Sequence, residues 1–332
     1  MSTAALPPQI RVSLGTAITL GLITGKLNAA PTTAYLMTYY EGKCSANCSF
    51  CPQGRESKGS TDRLSRVTWP VYPIQAVMSS LKESVTQKKL GRVCIQALNY
   101  PQVFEDLEAL VKEIKSGSSV AVSVSCQPQT PEKIHRLKQK GVDRLGVALD
   151  AATEAVFNQV KGKDSGGCYR WENLFQLITE ALSVFGAGNV STHIIVGLGE
   201  TEREAVEVIE RCTYLGVLPA LFAFTPVRGT ALEAKVPPDL GSYRRVQLAR
   251  YLIINGKAKP ADLSFDESGR ITDFGLPQQQ LETVIESGAP FCTSGCPDCN
   301  RPYYNEKPSG PIYNFPKNPN KQEIEKIKKE LS

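Results

Sequence analysis

A chain of 332 residues buries roughly three quarters of the surface its unfolded form exposes, enough for one large domain or two modest ones. Hydrophobic residues at 41% and charged residues at 21% exclude a disordered or fibrous chain. The formal charge of +5 is mild and rests partly on runs such as Lys88-Lys89 and the tail from Lys321 to Lys329, which read as solvated faces, so no nucleic-acid partner is expected.

The most apolar early stretch, 15–25, is too short to cross a bilayer and carries three glycines and three threonines. No Lys/Arg cluster precedes it, so it is not read as a signal peptide either, and a cytoplasmic protein without a membrane partner is expected. After an N-terminal extension, 1–33, short apolar runs alternate with helical patterns. Strands are predicted at 34–40, 92–98, 120–125, 144–149, 192–196 and 220–224. Helices are predicted at 73–88, 104–115, 131–140, 171–185, 202–214 and 243–254, each with apolar residues at spacings of three and four. Gly91, Gly141, Gly186 and Gly216 each fall between a helix and the next strand, where a C-terminal cap belongs. This alternation predicts an α/β fold: a partial (β/α)6 TIM-like barrel over 34–256, open on one side. Beyond it, 257–332 reads as a C-terminal extension with a hairpin turning at Ser268-Gly269, a helix at 278–286, a proline-rich run and a charged helix.

Six of the ten cysteines fall into two triplets of identical spacing, Cys44, Cys48, Cys51 and Cys292, Cys296, Cys299. A chain of this length is no disulfide-stapled miniprotein, so metal binding in a reducing compartment fits better. Structural zinc takes four protein ligands, and each triplet provides three. Three thiolates suit a cubane [4Fe-4S] cluster whose fourth iron stays open to an outside ligand. A zinc site that draws on both triplets remains an alternative.

The first triplet, with Phe50 before its last cysteine and a place in the loop after the first barrel strand, resembles the radical SAM (S-adenosylmethionine) superfamily over about 34–232. The stretch Ser191-Thr-His-Ile-Ile-Val-Gly-Leu-Gly-Glu-Thr201 is similar to that family's adenine-facing segment, with Val196 and Gly197 at the end of the strand. Phe224-Thr-Pro-Val-Arg-Gly-Thr-Ala-Leu-Glu233 is similar to the matching stretch of biotin synthase relatives. The resemblance implies that the open iron binds S-adenosyl-L-methionine, whose reductive cleavage gives a 5′-deoxyadenosyl radical. It also implies that the Phe50 backbone lies near the adenine, Asp150 near the ribose hydroxyls and Arg170 opposite the methionine carboxylate. The family's Gly-Gly-Glu contact to the methionine amino group is absent from Cys94-Ile-Gln-Ala-Leu-Asn-Tyr-Pro101, which leaves that contact to carbonyls near Ala97 or to the Asn99 side chain. For Asp150 the alternative is the cap of a helix beginning near Thr153; for Arg170 it is a surface arginine at a helix start.

The second triplet is placed outside the barrel, where it would hold an auxiliary iron-sulfur cluster, with Pro297, Pro302 and Pro308 stiffening its loop. Zinc with a fourth ligand elsewhere is the alternative. Cys94, Cys126, Cys168 and Cys212 read as isolated small hydrophobes, any of which could supply a missing ligand. His135 is expected to face solvent and His193 to lie in the core or beside a cofactor.

The tail Ser294 to Glu306, with 11–21 and 31–35, resembles the archaeal-type two-component lipoyl synthases. This implies sulfur insertion at C6 or C8 of an octanoyl chain on a lipoyl-carrier protein, with sulfide from the auxiliary cluster, a related radical SAM sister subunit and an electron donor such as ferredoxin. Ser287, Ser294 and Ser309 are candidates for the auxiliary cluster's fourth ligand, and Arg301, Tyr303 and Tyr304 for the substrate tunnel. Two readings stay open beside it: a radical SAM enzyme whose second cluster only transfers electrons or anchors substrate, and a zinc-stabilised binding module.

Overall fold

The computed structural model describes residues 5–332. The chain opens with β1 (Gln9–Val12), α1 (Leu14–Thr19) and β2 (Thr33–Thr38). The short strands β3 (Arg63–Leu64), β4 (Val67–Thr68) and β5 (Val71–Pro73) lead into α2 (Ile74–Thr86). The repeating part follows as β6 (Arg92–Gln96), α3 (Val103–Gly117), β7 (Ala121–Ser125), α4 (Pro131–Gln139), β8 (Arg144–Gly146), α5 (Glu154–Val160), α6 (Trp171–Phe185), β9 (Val190–Val196), α7 (Glu202–Leu215), β10 (Leu218–Ala223) and α8 (Leu240–Ile254). The extension adds the hairpin β11 (Ser264–Phe265) and β12 (Ile271–Asp273), then α9 (Gln278–Glu286) and α10 (Lys321–Leu331).

The main sheet runs β10-β9-β8-β7-β6-β2-β1-β5. From β2 to β10 every pairing is parallel, while β1 joins β2 and β5 antiparallel. All six residues of β2 are buried, as expected of a parallel strand covered on both faces. The six predicted strands are therefore present in an open sheet; β10 does not pair with β2. The N-terminal stretch before 34 also enters that sheet through β1. Its pattern is too short to read alone, because its partner Leu36 to Thr38 lies more than twenty residues further along.

Two other elements depart from expectation. The fourth parallel strand stops at Gly146 rather than at 149, and the chain returns to β9 only as a single bridge, Asp150 to Ile194. Asp150 makes that return with a left-handed φ of 68°. The unpredicted α5 follows, capped by the Thr153 hydroxyl on Val156 N–H, so Asp150 is not its cap. Of the expected glycine caps, Gly216 ends α7 at φ 82°. Gly91 caps nothing, since α2 ends earlier at Gln87 and the left-handed turn falls on Lys88.

The C-terminal extension spans the open side of the sheet. Near β2, the Asp298 carbonyl accepts from the hydroxyls of Thr32 and Thr33, and Arg301 N–H donates to Tyr35 Oη at 2.8 Å. At β10, Leu221 N–H donates to Ser294 Oγ at 2.7 Å and the Arg301 guanidinium donates to the Leu221 carbonyl at 3.2 Å. One peptide segment is thus fastened to both the first and the last parallel strand. The second triplet is consequently not outside the barrel: Cys296 and Cys299 face its interior.

Behind β10, Glu202 of α7 accepts two bonds from Arg245 Nε and one from its Nη2 at 2.7 Å, and a fourth from Ile271 N–H at 2.8 Å. Both side chains are buried, so removal of one strands the other's charge. Glu202→Ala is expected to lower unfolding free energy by about 3–5 kcal/mol, read from urea denaturation.

Candidate functional site

The inner faces of the parallel strands and the 295–305 segment enclose a cavity of about 260 Å³. Strand alternation aims Tyr35, Cys94 and Ser123 into it from β2, β6 and β7. Cys44, Cys48 and Cys51 reach it from the loop beyond the C-terminal end of β2, where parallel folds place their chemistry.

That loop is held by its own polar groups. Cys44 N–H donates to the Gln53 carbonyl at 3.0 Å, Lys43 Nζ donates to the carbonyls of Pro52 and Gly59, and the Gln53 amide donates to those of Thr61 and Arg63. A Cβ at Gly54 would sit 3.2 Å from the carbonyls of Cys48 and Cys51, a tight contact that would press on the triplet's backbone. Asn99 N–H donates to Cys44 Sγ at 3.2 Å, and the Gln53 and Gly54 N–H groups point at the Cys51 thiol. Burial pushes the Cys48 thiol well up and that of Cys51 to about 12, so deprotonation requires a bound cation. Three thiols at one cavity wall, two of them with N–H donors on their sulfurs, fit an anionic iron-sulfur cluster. Among the described residues no three His, Cys, Asp or Glu side chains stand close enough to share a single ion.

Phe50, Ala97, Asn99 and Asp150 line the same cavity. The Asn99 side chain donates to Tyr169 Oη and the Ala97 N–H to the Ser125 carbonyl. Asp150 pairs at 2.7 Å with Lys161, a lysine only 1% exposed that also donates to the Ala148 carbonyl and lies 5.2 Å over the Tyr169 ring. Sequence reading missed Lys161, which sits between α5 and a glycine with no pattern to mark it as buried. Arg301 and Tyr304 also line the cavity, whereas Tyr303 does not. His193 does too; burial brings its imidazole down to about 4, so it is neutral near neutral pH. His135 is exposed beside Glu180, as expected.

Three expected residues are not brought to the cavity. Arg170 is exposed and donates to the carbonyls of Gly167 and Tyr169. Val196 is packed in the core, and the space beside Gly197 is filled by Pro238, 2.7 Å from where a Cβ would stand. Gly197, Leu198 and Gly199 point their N–H groups at the Glu200 carboxylate, so this turn satisfies its donors internally. Cys292 also stays apart, its Sγ 3.1 Å from Asn318 Oδ1 and 3.6 Å from the Gly288 carbonyl.

The family model for the radical SAM superfamily matches residues 41–212, slightly more than half the chain and including the whole first triplet. The chain belongs to the radical SAM superfamily. Membership implies a [4Fe-4S] cluster and S-adenosylmethionine, and the matched span includes Cys44, Cys48 and Cys51. Curated relatives include the biotin synthase of Aquifex aeolicus, 27% identical over 200 residues, covering 58% of this chain and 55% of the relative. That of Cenarchaeum symbiosum is 24% identical over 233 residues, covering 68% and 70%. This radical SAM chain thus spans about half the length of the Aquifex protein. Among solved structures, methylornithine synthase (PylB) matches with a TM-score of 0.50 at 13% identity over 82% of this chain and 84% of that one. The hydrogenase maturase HydG of Carboxydothermus hydrogenoformans matches with a TM-score of 0.52 at 14% identity, over 73% and 55%. These likenesses show a shared fold. No helix among the described residues is long and apolar enough to cross a membrane.

Lys161→Met leaves the Asp150 carboxylate buried without its partner and is expected to cost about 3–5 kcal/mol of stability. Adding Asp150→Asn removes that stranded charge and should restore part of the loss in thermal denaturation of the apoprotein.

Glu306, buried with one oxygen unpartnered, has its carboxyl raised from 4.5 to about 7 by burial, which outweighs Arg301 and Arg66 nearby. The folded chain therefore holds a proton that the unfolded chain releases, and stability falls as pH rises through that window. The loss is on the order of 3 kcal/mol between pH 4.5 and 7. Glu306→Gln should flatten this slope in denaturation curves taken across that range.

Proposed function

We propose that this radical SAM chain inserts sulfur into an unactivated C–H bond of a protein-bound octanoyl chain, as a lipoyl synthase component. The observation that carries the reading is that thiols from both cysteine triplets face one cavity. Cys44, Cys48 and Cys51 line it at the C-terminal ends of the strands, and Cys296 and Cys299 line it nearer their starts.

Held by Cys44, Cys48 and Cys51, a [4Fe-4S] cluster with S-adenosylmethionine would supply radical abstraction of hydrogen from carbon, and a second cluster would supply the sulfide. The chain's own residues shape the space between. Met37, Leu98, Phe222 and Phe224 give it the apolar walls an acyl chain requires and keep water from a reactive intermediate. Arg301 lies 3.7 Å over the Phe222 ring, and its guanidinium donates to the carbonyls of Leu221 and Ser294. Tyr304 meets the same ring edge-on at 5.6 Å. These contacts hold the tail segment in place as one wall. Asp150 turns a carboxylate acceptor, steadied by Lys161, toward the first triplet, where it suits ribose hydroxyls. The carrier protein, a sister radical SAM subunit and a ferredoxin-type donor are the partners this reading requires.

Protein reconstituted without oxygen, reduced with dithionite and given S-adenosylmethionine and an octanoylated lysyl peptide should release 5′-deoxyadenosine and methionine and add the mass of one sulfur atom per insertion to the peptide. Cys48→Ala should bring 5′-deoxyadenosine down to the enzyme-free background. Release of 5′-deoxyadenosine without any sulfur on the peptide would instead mark the second cluster as an electron carrier.

A further inference from the structure

Strand register places Tyr35, Cys94 and Ser123 side by side at one level of the sheet, Tyr35 opposite Cys94 and Cys94 opposite Ser123. Neighbouring parallel strands lie about 4.8 Å apart and paired residues point to the same face, so the three side chains form one row into the cavity. The two outer members hold the tail thiols. Tyr35 Oη lies 3.4 Å from Cys299 Sγ, and Ser123 Oγ lies 3.6 Å from Cys296 Sγ. Cys94 stands between these two contacts, its sulfur accepting from Gln96 Nε2 at 3.1 Å.

The tail loop is also pinned above this row. Arg92 Nε donates to the Pro297 carbonyl at 3.2 Å while its Nη1 donates to Ser123 Oγ at 2.9 Å. The same end of the cavity is cationic. Arg301 reaches it from the tail, and Arg144 lines it with a buried Nε that has no partner in the protein. An unsatisfied guanidinium N–H beside three thiols calls for an anionic occupant. Cys292, by contrast, faces Asn318 and does not line the cavity.

We propose that the auxiliary iron-sulfur cluster is bound by Cys94, Cys296 and Cys299, and that Cys292 is not one of its ligands. The inference rests on the reading above that this chain carries a second cluster. It replaces the sequence triplet with a composite set, one thiolate from a barrel strand and two from the tail, with Arg144 on the cluster's charge.

Full-length protein reconstituted without oxygen should hold about eight irons per chain, two cubane clusters. Cys94→Ser should fall to about four irons, lose one of the two electron paramagnetic resonance signals of the reduced protein, and match Cys296→Ser. Cys292→Ser should keep about eight irons and both signals. Iron retained in Cys94→Ser, or lost in Cys292→Ser, overturns the proposal. Wild-type protein with only about four irons would remove the second cluster itself, a failure of the underlying reading that is distinct from a wrong ligand. Alkylation of the wild-type holoprotein needs no variant: iodoacetamide should label Cys292 before chelation of iron, and Cys94 only afterwards. A Cys292 that becomes reactive only after chelation counts against the assignment.

Discussion

An open parallel sheet has an inner face that must be covered, and here that single requirement organises the molecule. The six parallel strands from β2 to β10 leave a gap where a closed barrel would make another row of hydrogen bonds. The inner face is also not simply apolar: Tyr35, Cys94, Ser123, Arg144 and His193 all point into it. Polar groups turned inward need partners, and bulk water would compete for them. The C-terminal segment answers both needs, fastening to Tyr35 on one side and to Leu221 on the other while bringing Cys296, Cys299 and Arg301 inside. The tail is therefore a wall of the cavity, and its thiols share the space served by Cys44, Cys48 and Cys51.

The two ends of that cavity are built by different means. The first triplet sits in a loop closed largely by its own short-range bonds, with N–H groups directed at Cys44 and Cys51 and only tight space beside Gly54. The rest of the chain anchors this loop at a few points, where Ser45 N–H donates to the Asn99 carbonyl and Ser49 N–H to that of Val160. The other end has no local motif of its own. It depends on the register of β2, β6 and β7, on Arg92 gripping the Pro297 carbonyl, and on a tail arriving from far along the sequence. Between them, Asp150 leaves β8 in a left-handed conformation so that its carboxylate turns inward, and buried Lys161 supplies the counter-charge.

The elements were legible wherever a short-range pattern specifies them. The short apolar runs at 92–98 and 192–196 and the three-and-four apolar spacing of α3 are properties of neighbouring residues, and the structure forms β6, β9 and α3 there. The misses share a physical cause. β1 is four residues long and acquires meaning only from β2 and β5. Arg170 and Gly197 lie in stretches that match a family pattern. Whether a side chain or a backbone turn reaches the cavity depends on what packs next to it, and there Arg170 faces solvent while Pro238 fills the space at Gly197. Lys161 looks like any surface lysine until Asp150 is placed beside it.

The path of Cys44, Cys48 and Cys51 is largely a local property, because the loop that carries them is closed by short-range bonds such as Cys44 N–H to the Gln53 carbonyl and Lys43 Nζ to those of Pro52 and Gly59. Superfamily membership and the βα rhythm could thus be had from the order of residues. The identical spacing of Cys292, Cys296 and Cys299 gave no such guarantee, since proline-rich chain takes its path from what it packs against. Only the assembled sheet decided that Cys296 meets Ser123 and Cys299 meets Tyr35, on either side of Cys94, while Cys292 turns toward Asn318, through contacts between residues far apart in the chain.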